Sequence, residues 1–265
     1  MKLIQLTEES MMKTLISFLL FLPTATGAIA APSFELTTLL GSANDRMPFV
    51  QEIVKDRVAL APGANFVDYT TGVLYFAWRN GVNSARTVQV LRDAGNANLA
   101  DVLAGIELAS KDSAVVLAPL SGDGVEEMCA KMAERTDTAF LITLGDVGYT
   151  LSPFFTKCAS RNILFVTVLD GDLTGLGEYA SYGPLVRLAV PGMDLSAPVD
   201  GDRRVSFLSD GFGMAIAAGQ IAALSRSRPE LRGAALLAEF LKQAEELPAL
   251  RGKVTGAKAI RRFEK

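Results

Sequence analysis

Histidine is absent from all 265 residues of the chain. Imidazole is therefore excluded as a general base and as a metal ligand. The Ser-His-Asp and Cys-His catalytic arrangements are excluded with it. The commonest zinc ligand is missing too, and two cysteines are too few for a thiolate cage. No metal and no cofactor are expected. Blocks of basic residues are also lacking: 26 Lys and Arg stand against 29 Asp and Glu, for a net charge of -3. Phosphate binding needs clustered Lys and Arg, so no nucleic-acid partner is expected. Leu15 to Leu22 is a compact apolar run. It falls well short of the roughly 20 residues needed to span a bilayer.

That run has a different reading. Met11-Met12-Lys13 precedes it, Pro23 and Gly27 break it, and Ala28-Ile29-Ala30 offers a small-x-small site before Ala31. This is the order of a secretory signal. Glu8 and Glu9 fit such a signal poorly, and translation starting at Met11 or Met12 would remove them. Residues 1–30 are thus expected to be a signal peptide, and the rest an exported, periplasmic or extracellular protein with no membrane span after cleavage. Export would permit a disulfide between Cys129 and Cys158. Their spacing alone leaves two buried free thiols as the other option.

Beyond residue 32, strand-like and helix-like segments alternate. Phe34 to Leu40, Ala85 to Leu91, Ala114 to Leu120, Thr138 to Leu144, Asn162 to Leu169 and Val186 to Val190 read as strands. Several are continuous apolar runs, as expected of parallel strands covered on both faces. Thr71 to Arg79, Leu99 to Ser110, Gly124 to Thr136, Gly213 to Ser225 and Pro229 to Glu246 read as helices. The fourth is built of small residues and should pack closely at the centre. The pattern predicts an α/β domain with a mostly parallel sheet, in one domain over residues 32–265. Trp78 with Tyr75 and Phe76 is expected in the core, and Lys253, Lys258, Arg261, Arg262 and Lys265 in a solvated end.

The order of short motifs carries a resemblance. Val88 to Leu91 leads through Asp93-Ala94-Gly95 to a helix at Leu99. Val115 to Gly122, Phe140 to Asp146, Asn162 to Val168, Leu176 to Gly183, Leu185 to Gly192 and Val205 to Ala215 follow, then Arg228-Pro229-Glu230-Leu231. This series is similar to that of the subtilases, the subtilisin-like serine peptidases. The resemblance implies a subtilisin-like three-layer sandwich, with the part before residue 85 degenerate. It also implies positions for catalytic groups. The serine would stand at Gly213, the histidine at Tyr69, the aspartate at Leu40 and the oxyanion donor at Asp146. None of these residues can do the required chemistry. Glycine has no nucleophile, and tyrosine, with a pKa near 10, is a poor base at neutral pH. An ionised aspartate repels a developing oxyanion. Sedolisins share this fold and work without histidine, but they still need the serine that Gly213 replaces. Ser206 and Ser209 precede the helix start and lack a base.

The expectation is therefore an exported, catalytically dead protease homologue acting by binding. Its partner would be an active protease, an extended peptide or a subunit of a larger assembly. Two alternatives remain at this stage. One is an active serine endopeptidase whose catalytic positions are misassigned. The other is a carboxylate enzyme using Asp146, Asp170, Asp172 or Asp210, all placed after strands.

Overall fold

The computed structural model describes residues 34–41, 50–54, 73, 75–90, 92–93, 96–97, 99–118, 124–143, 158–200, 203–206 and 210–263. All of them belong to the compact unit Pro32–Lys265. Residues 1–30, Tyr69 and Asp146 lie outside the described residues.

A nine-stranded sheet forms the middle layer. Its strands are β1 (Phe34–Gly41), β2 (Val50–Val54), β3 (Ser84–Val90), β6 (Ser113–Leu117), β7 (Ala139–Ile142), β8 (Ile163–Leu169), β9 (Val186–Pro191), β12 (Glu245–Glu246) and β13 (Lys258–Ala259). The short hairpin β4 (Arg92–Asp93) and β5 (Asn96–Ala97) and the ribbon β10 (Ser196–Asp200) and β11 (Arg203–Ser206) lie outside it. Across the sheet the order is β12-β13-β9-β8-β7-β6-β1-β3-β2. Pairing is parallel from β3 through β1, β6, β7, β8 and β9 to β13. Only the edge pairs, β2 on β3 and β12 on β13, are antiparallel.

The central strands are buried on both faces because helices cover both. Alternate residues feed two separate cores. Leu164, Val166 and Val168 of β8 join one core, and Ile163, Phe165 and Leu169 join the other. The second core is covered by α1 (Leu99–Lys111) and α2 (Val125–Ala133), whose apolar faces include Val102, Ile106, Met128 and Met132. The first is covered by α3 (Asp210–Ser227) and α4 (Gly233–Gln243). Full burial of one large apolar side chain contributes roughly 1.5–3 kcal/mol. The expected three-layer α/β sandwich with a mostly parallel sheet is the observed architecture.

Helix α3 lies deepest. Phe212, Met214, Ala215, Ile216, Ala217 and Ala218 are each no more than 1% exposed. Its small residues allow close backbone contact, as the sequence suggested. A Cβ at Gly219 would stand 2.5 Å from the Ala77 carbonyl oxygen, in the helical turn of residues 75–79. Phe76 in that turn packs on Phe212, with ring centroids 5.1 Å apart. The aromatic cluster is accordingly core: Phe76 is buried, and Tyr75 and Trp78 pack against the same residues.

One helix boundary differs from the reading of the sequence. The amphipathic stretch Pro229 to Glu246 is not one helix. Arg228 to Leu231 forms a turn closed by the Leu231 N–H on the Arg228 carbonyl, and α4 begins only at Gly233. Gly233 has φ +42° and sits where a Cβ would overlap the Thr136 carbonyl oxygen. The helix ends at Gln243, and Glu245 and Glu246 become an edge strand instead.

Cys129 of α2 and Cys158, just before β8, form a disulfide with S–S 2.10 Å. Both are buried, and their sequence separation is 29 residues. A loop of that length corresponds to about 3–4 kcal/mol of unfolded-state entropy.

On the outer face of α1 and α2, Glu107 receives Lys131 Nζ at 2.8 Å and also pairs with Arg135. The bonds from Lys131, and next from Arg135, hold the Glu107 carboxyl below its usual range. A lowered folded-state pKa stabilises the fold above the unfolded value and is lost as pH falls through the folded one.

Two outcomes are expected from these features. Gly233→Ala should cost roughly 3 kcal/mol or more, because strain and overlap combine. Gly252→Ala has a similar φ, +77°, but open space around its Cβ. It should cost only about 1 kcal/mol, from strain alone. Urea unfolding of both variants reads the difference. In the second case, Glu107→Gln should be less stable than the parent at neutral pH. The gap should narrow on acidification below about pH 4.3, the ordinary glutamate value. Thermal unfolding from pH 7 downward reads it, and a constant gap would mean that Glu107 acts by packing instead.

Candidate functional site

In open parallel sheets, ligand sites form at the carboxyl ends of strands, where the strand order reverses. Here the order reverses at β1: the chain runs outward to β3 on one side and to β6 on the other. Residues 42–49 and 119–123, which follow β1 and β6, lie outside the described residues. Those at the same edge beyond β8 and β9 are described, together with the start of α3.

Gly213 lies in the first turn of α3, against the end of β9. A Cβ built on it would overlap the Pro191 carbonyl oxygen and stand 2.6 Å from Val190 Cγ2. Both approaches are far inside normal contact. The helix start is thus packed backbone to backbone on the strand end, and no side chain of any kind fits. Glycine is required here by close approach. A serine would need the helix or the strand end to move. Leu40 lies in β1, paired in register with Gln89 of β3. It is a ladder residue and carries no ionisable group.

Asp170 follows β8 and opens a loop that folds back on the strand. Its Oδ1 accepts the Thr174 N–H at 2.7 Å and its Oδ2 accepts the Thr174 hydroxyl at 3.1 Å. The Asp170 N–H donates to the Gly175 carbonyl, and the Gly177 N–H donates to the Val168 carbonyl. Asn, Asp and Thr side chains favour such local turn bonds. Both carboxylate oxygens of Asp170 thus hold the loop. Asp172 at its tip is exposed. Asp194, also exposed, has φ 58° and reaches the same loop, its Oδ2 lying 2.7 Å from where a Gly171 Cβ would be. Among the described residues no group of three or more His, Cys, Asp or Glu side chains could hold a metal ion. The structure brings Asp170 and Asp194 to adjoining turns, with both Asp170 oxygens bonded to Thr174. Asp210 begins α3. The closed packing at Gly213 was not foreseen from the sequence. Its only signal was a glycine among alanines, which any small-residue helix would show.

Solved structures provide the likeness. A chain of the subtilase cytotoxin SubAB assembly matches with 15% identity and a TM-score of 0.57, over 87% of this chain and 87% of that one. The A subunit of the AB5 toxin from E. coli matches with 15% identity and a TM-score of 0.61, over 85% of this chain and 89% of that one. No family model and no curated protein matches the chain. This corrects the family assignment made on motif order. Likeness at such identity is one of fold alone, and no family model stands behind it. Short Gly-rich turns after buried strands recur wherever this sheet is built, so their order tracked architecture. The assignments of Leu40, Tyr69, Asp146 and Gly213 lose that warrant, and the reading of Gly213 rests on its packing.

Gly213→Ser should acquire no reactivity toward a fluorophosphonate probe, since the chain has no histidine and the Asp170 carboxylate is held by Thr174. It should also lose roughly 1–3 kcal/mol of stability through overpacking, read by denaturant unfolding. Labelling of the introduced serine in a stably folded variant would overturn this account.

Proposed function

We propose that the chain is an exported subunit that works by binding another protein and does not cleave peptide bonds. The observation that carries this reading is the closed start of α3. At Gly213 the end of β9 leaves no room for any side chain in the first turn of the helix. The absence of histidine from the whole sequence supports it independently. An active serine endopeptidase with misassigned positions would still need an activating base. The carboxylate-enzyme alternative finds no support at Asp170, whose oxygens are taken by Thr174.

A binding role is favoured by the likeness to structures that are parts of assemblies, one described by its assembly and the other as the A subunit of an AB5 toxin. The fold can serve such a role without catalysis, because function resides in surfaces and sites placed on a fold. Export is favoured by the signal-like order of residues 1–30 and by the buried Cys129–Cys158 disulfide. Such bonds persist in oxidising compartments and are rare in the cytosol. In this reading residues 32–265 are the mature domain. No helix among the described residues is long and apolar enough to cross a membrane.

The test is isolation of the tagged protein from the exported fraction of its native cell, followed by mass spectrometry. A mature chain starting at Ala31 with a stoichiometric protein partner is expected. Recovery of the bait alone under gentle cross-linking would count against the binding role. Retention of residues 1–30 in a cytosolic pool would count against export.

A further inference from the structure

A cleft of about 680 Å³ opens at the β12 edge of the sheet. Gln220, Phe240, Gln243, Glu245, Arg261 and Arg262 are among its walls. Its origin is a splayed ladder. β12 and β13 pair only through Glu245 with Ala259 and Glu246 with Lys258. One residue further, Ala244 turns into the end of α4, while the Ile260 N–H donates to the Ala189 carbonyl of β9 at 2.9 Å. The two segments separate there, and the wedge between them is the cleft. Residues 260–263 beyond β13 belong to no strand, so the ladder stops here. Gln220 Nε2 donates to the Arg262 carbonyl at 2.9 Å and fixes the segment in place.

The charge at this edge is unbalanced. Glu245 serves two guanidinium groups at once, Arg261 at 2.7 Å and Arg262 at 3.6 Å. Lys258 Nζ adds a third cation, bonded to the Ala244 carbonyl at 3.3 Å. Glu246 is taken by Arg251 at 2.9 Å. The Arg262 side chain is 96% exposed, so its donors face solvent beside the cleft. A local excess of positive charge thus sits on a chain whose net charge is -3. The floor is apolar, formed by Phe240 and Ile260.

We infer that this wedge captures the C-terminal carboxylate of an extended peptide. The peptide would continue the interrupted ladder along Arg261, as strand addition does at other open edges. Its carboxylate would bond to the exposed Arg262, whose planar donor geometry matches a carboxylate, while Arg261 stays bonded to Glu245. The volume lies within the usual range for ligand clefts, roughly 300–1,000 Å³. The wedge is a second surface with its own partner chemistry, independent of the co-isolation result.

The test uses the isotopically labelled full chain and nuclear magnetic resonance. The probes are a pool of N-acetylated random tripeptides with free carboxylates, the same pool amidated, and acetate. The acid pool should shift the Arg261 and Arg262 resonances at or below about 1 mM. The amidated pool should bind at least about ten-fold more weakly, as expected for loss of a charge-assisted bond. Arg262→Gln should reduce acid-pool binding similarly with an unchanged melting temperature, since that side chain is exposed. Equal binding of acid and amide pools, no shift with the acid pool, or saturation by acetate at the same concentration would each overturn the proposal. The last would mark the edge as a site for any small anion.

Discussion

The rest of the structure depends on how closely α3 can approach its neighbours. At two points of this helix, Gly213 and Gly219, no side chain stands between backbones. Gly213 touches the end of β9, and Gly219 touches the turn that holds Phe76. Close packing of this kind leaves no void and tolerates no added methyl group without strain. It sets the height of the first core, and with it the depth at which Phe212, Phe76 and the alternate residues of β6, β7 and β8 meet.

The same constraint decides the chemistry at the carboxyl edge. Where a helix start meets a strand end, other members of such architectures can place a reactive side chain. Here the meeting is made of backbone. Nearby Asp170 is spent on its own loop.

Much of the architecture was legible in the sequence. Continuous apolar runs such as Ala114 to Leu117 and Ile163 to Leu169 are what two-sided burial demands, and they became β6 and β8. Helical spacing from Leu99 identified α1, and the run of alanines and glycines identified the deepest helix. The losses were local. β2 and β12 are short edge strands and β13 lies beside the edge; all three carry charged or mixed residues, and β13 pairs with β9, distant in sequence. The helix from Pro229 was read too long because its apolar spacing continues past the point where Gly233 must meet Thr136. Whether Cys129 and Cys158 pair could not be read from spacing, since it depends on α2 docking beside the start of β8. Family membership was the largest overreach, because turn motifs report on a sheet's connections and much less on its descent.

The placement of β1 has a consequence in time. This strand, among the first of the domain, sits inside the sheet, and its sides are covered by β3 and β6. It also packs against α3, made of residues far later in the chain. Loop closure over such separations is slow, and topologies rich in distant contacts fold slowly. A ribosome-bound or partly synthesised chain therefore cannot complete its core, whatever its local propensities. For an exported chain, as proposed above, that delay is useful. It would keep the polypeptide threadable until the last helices and the disulfide form.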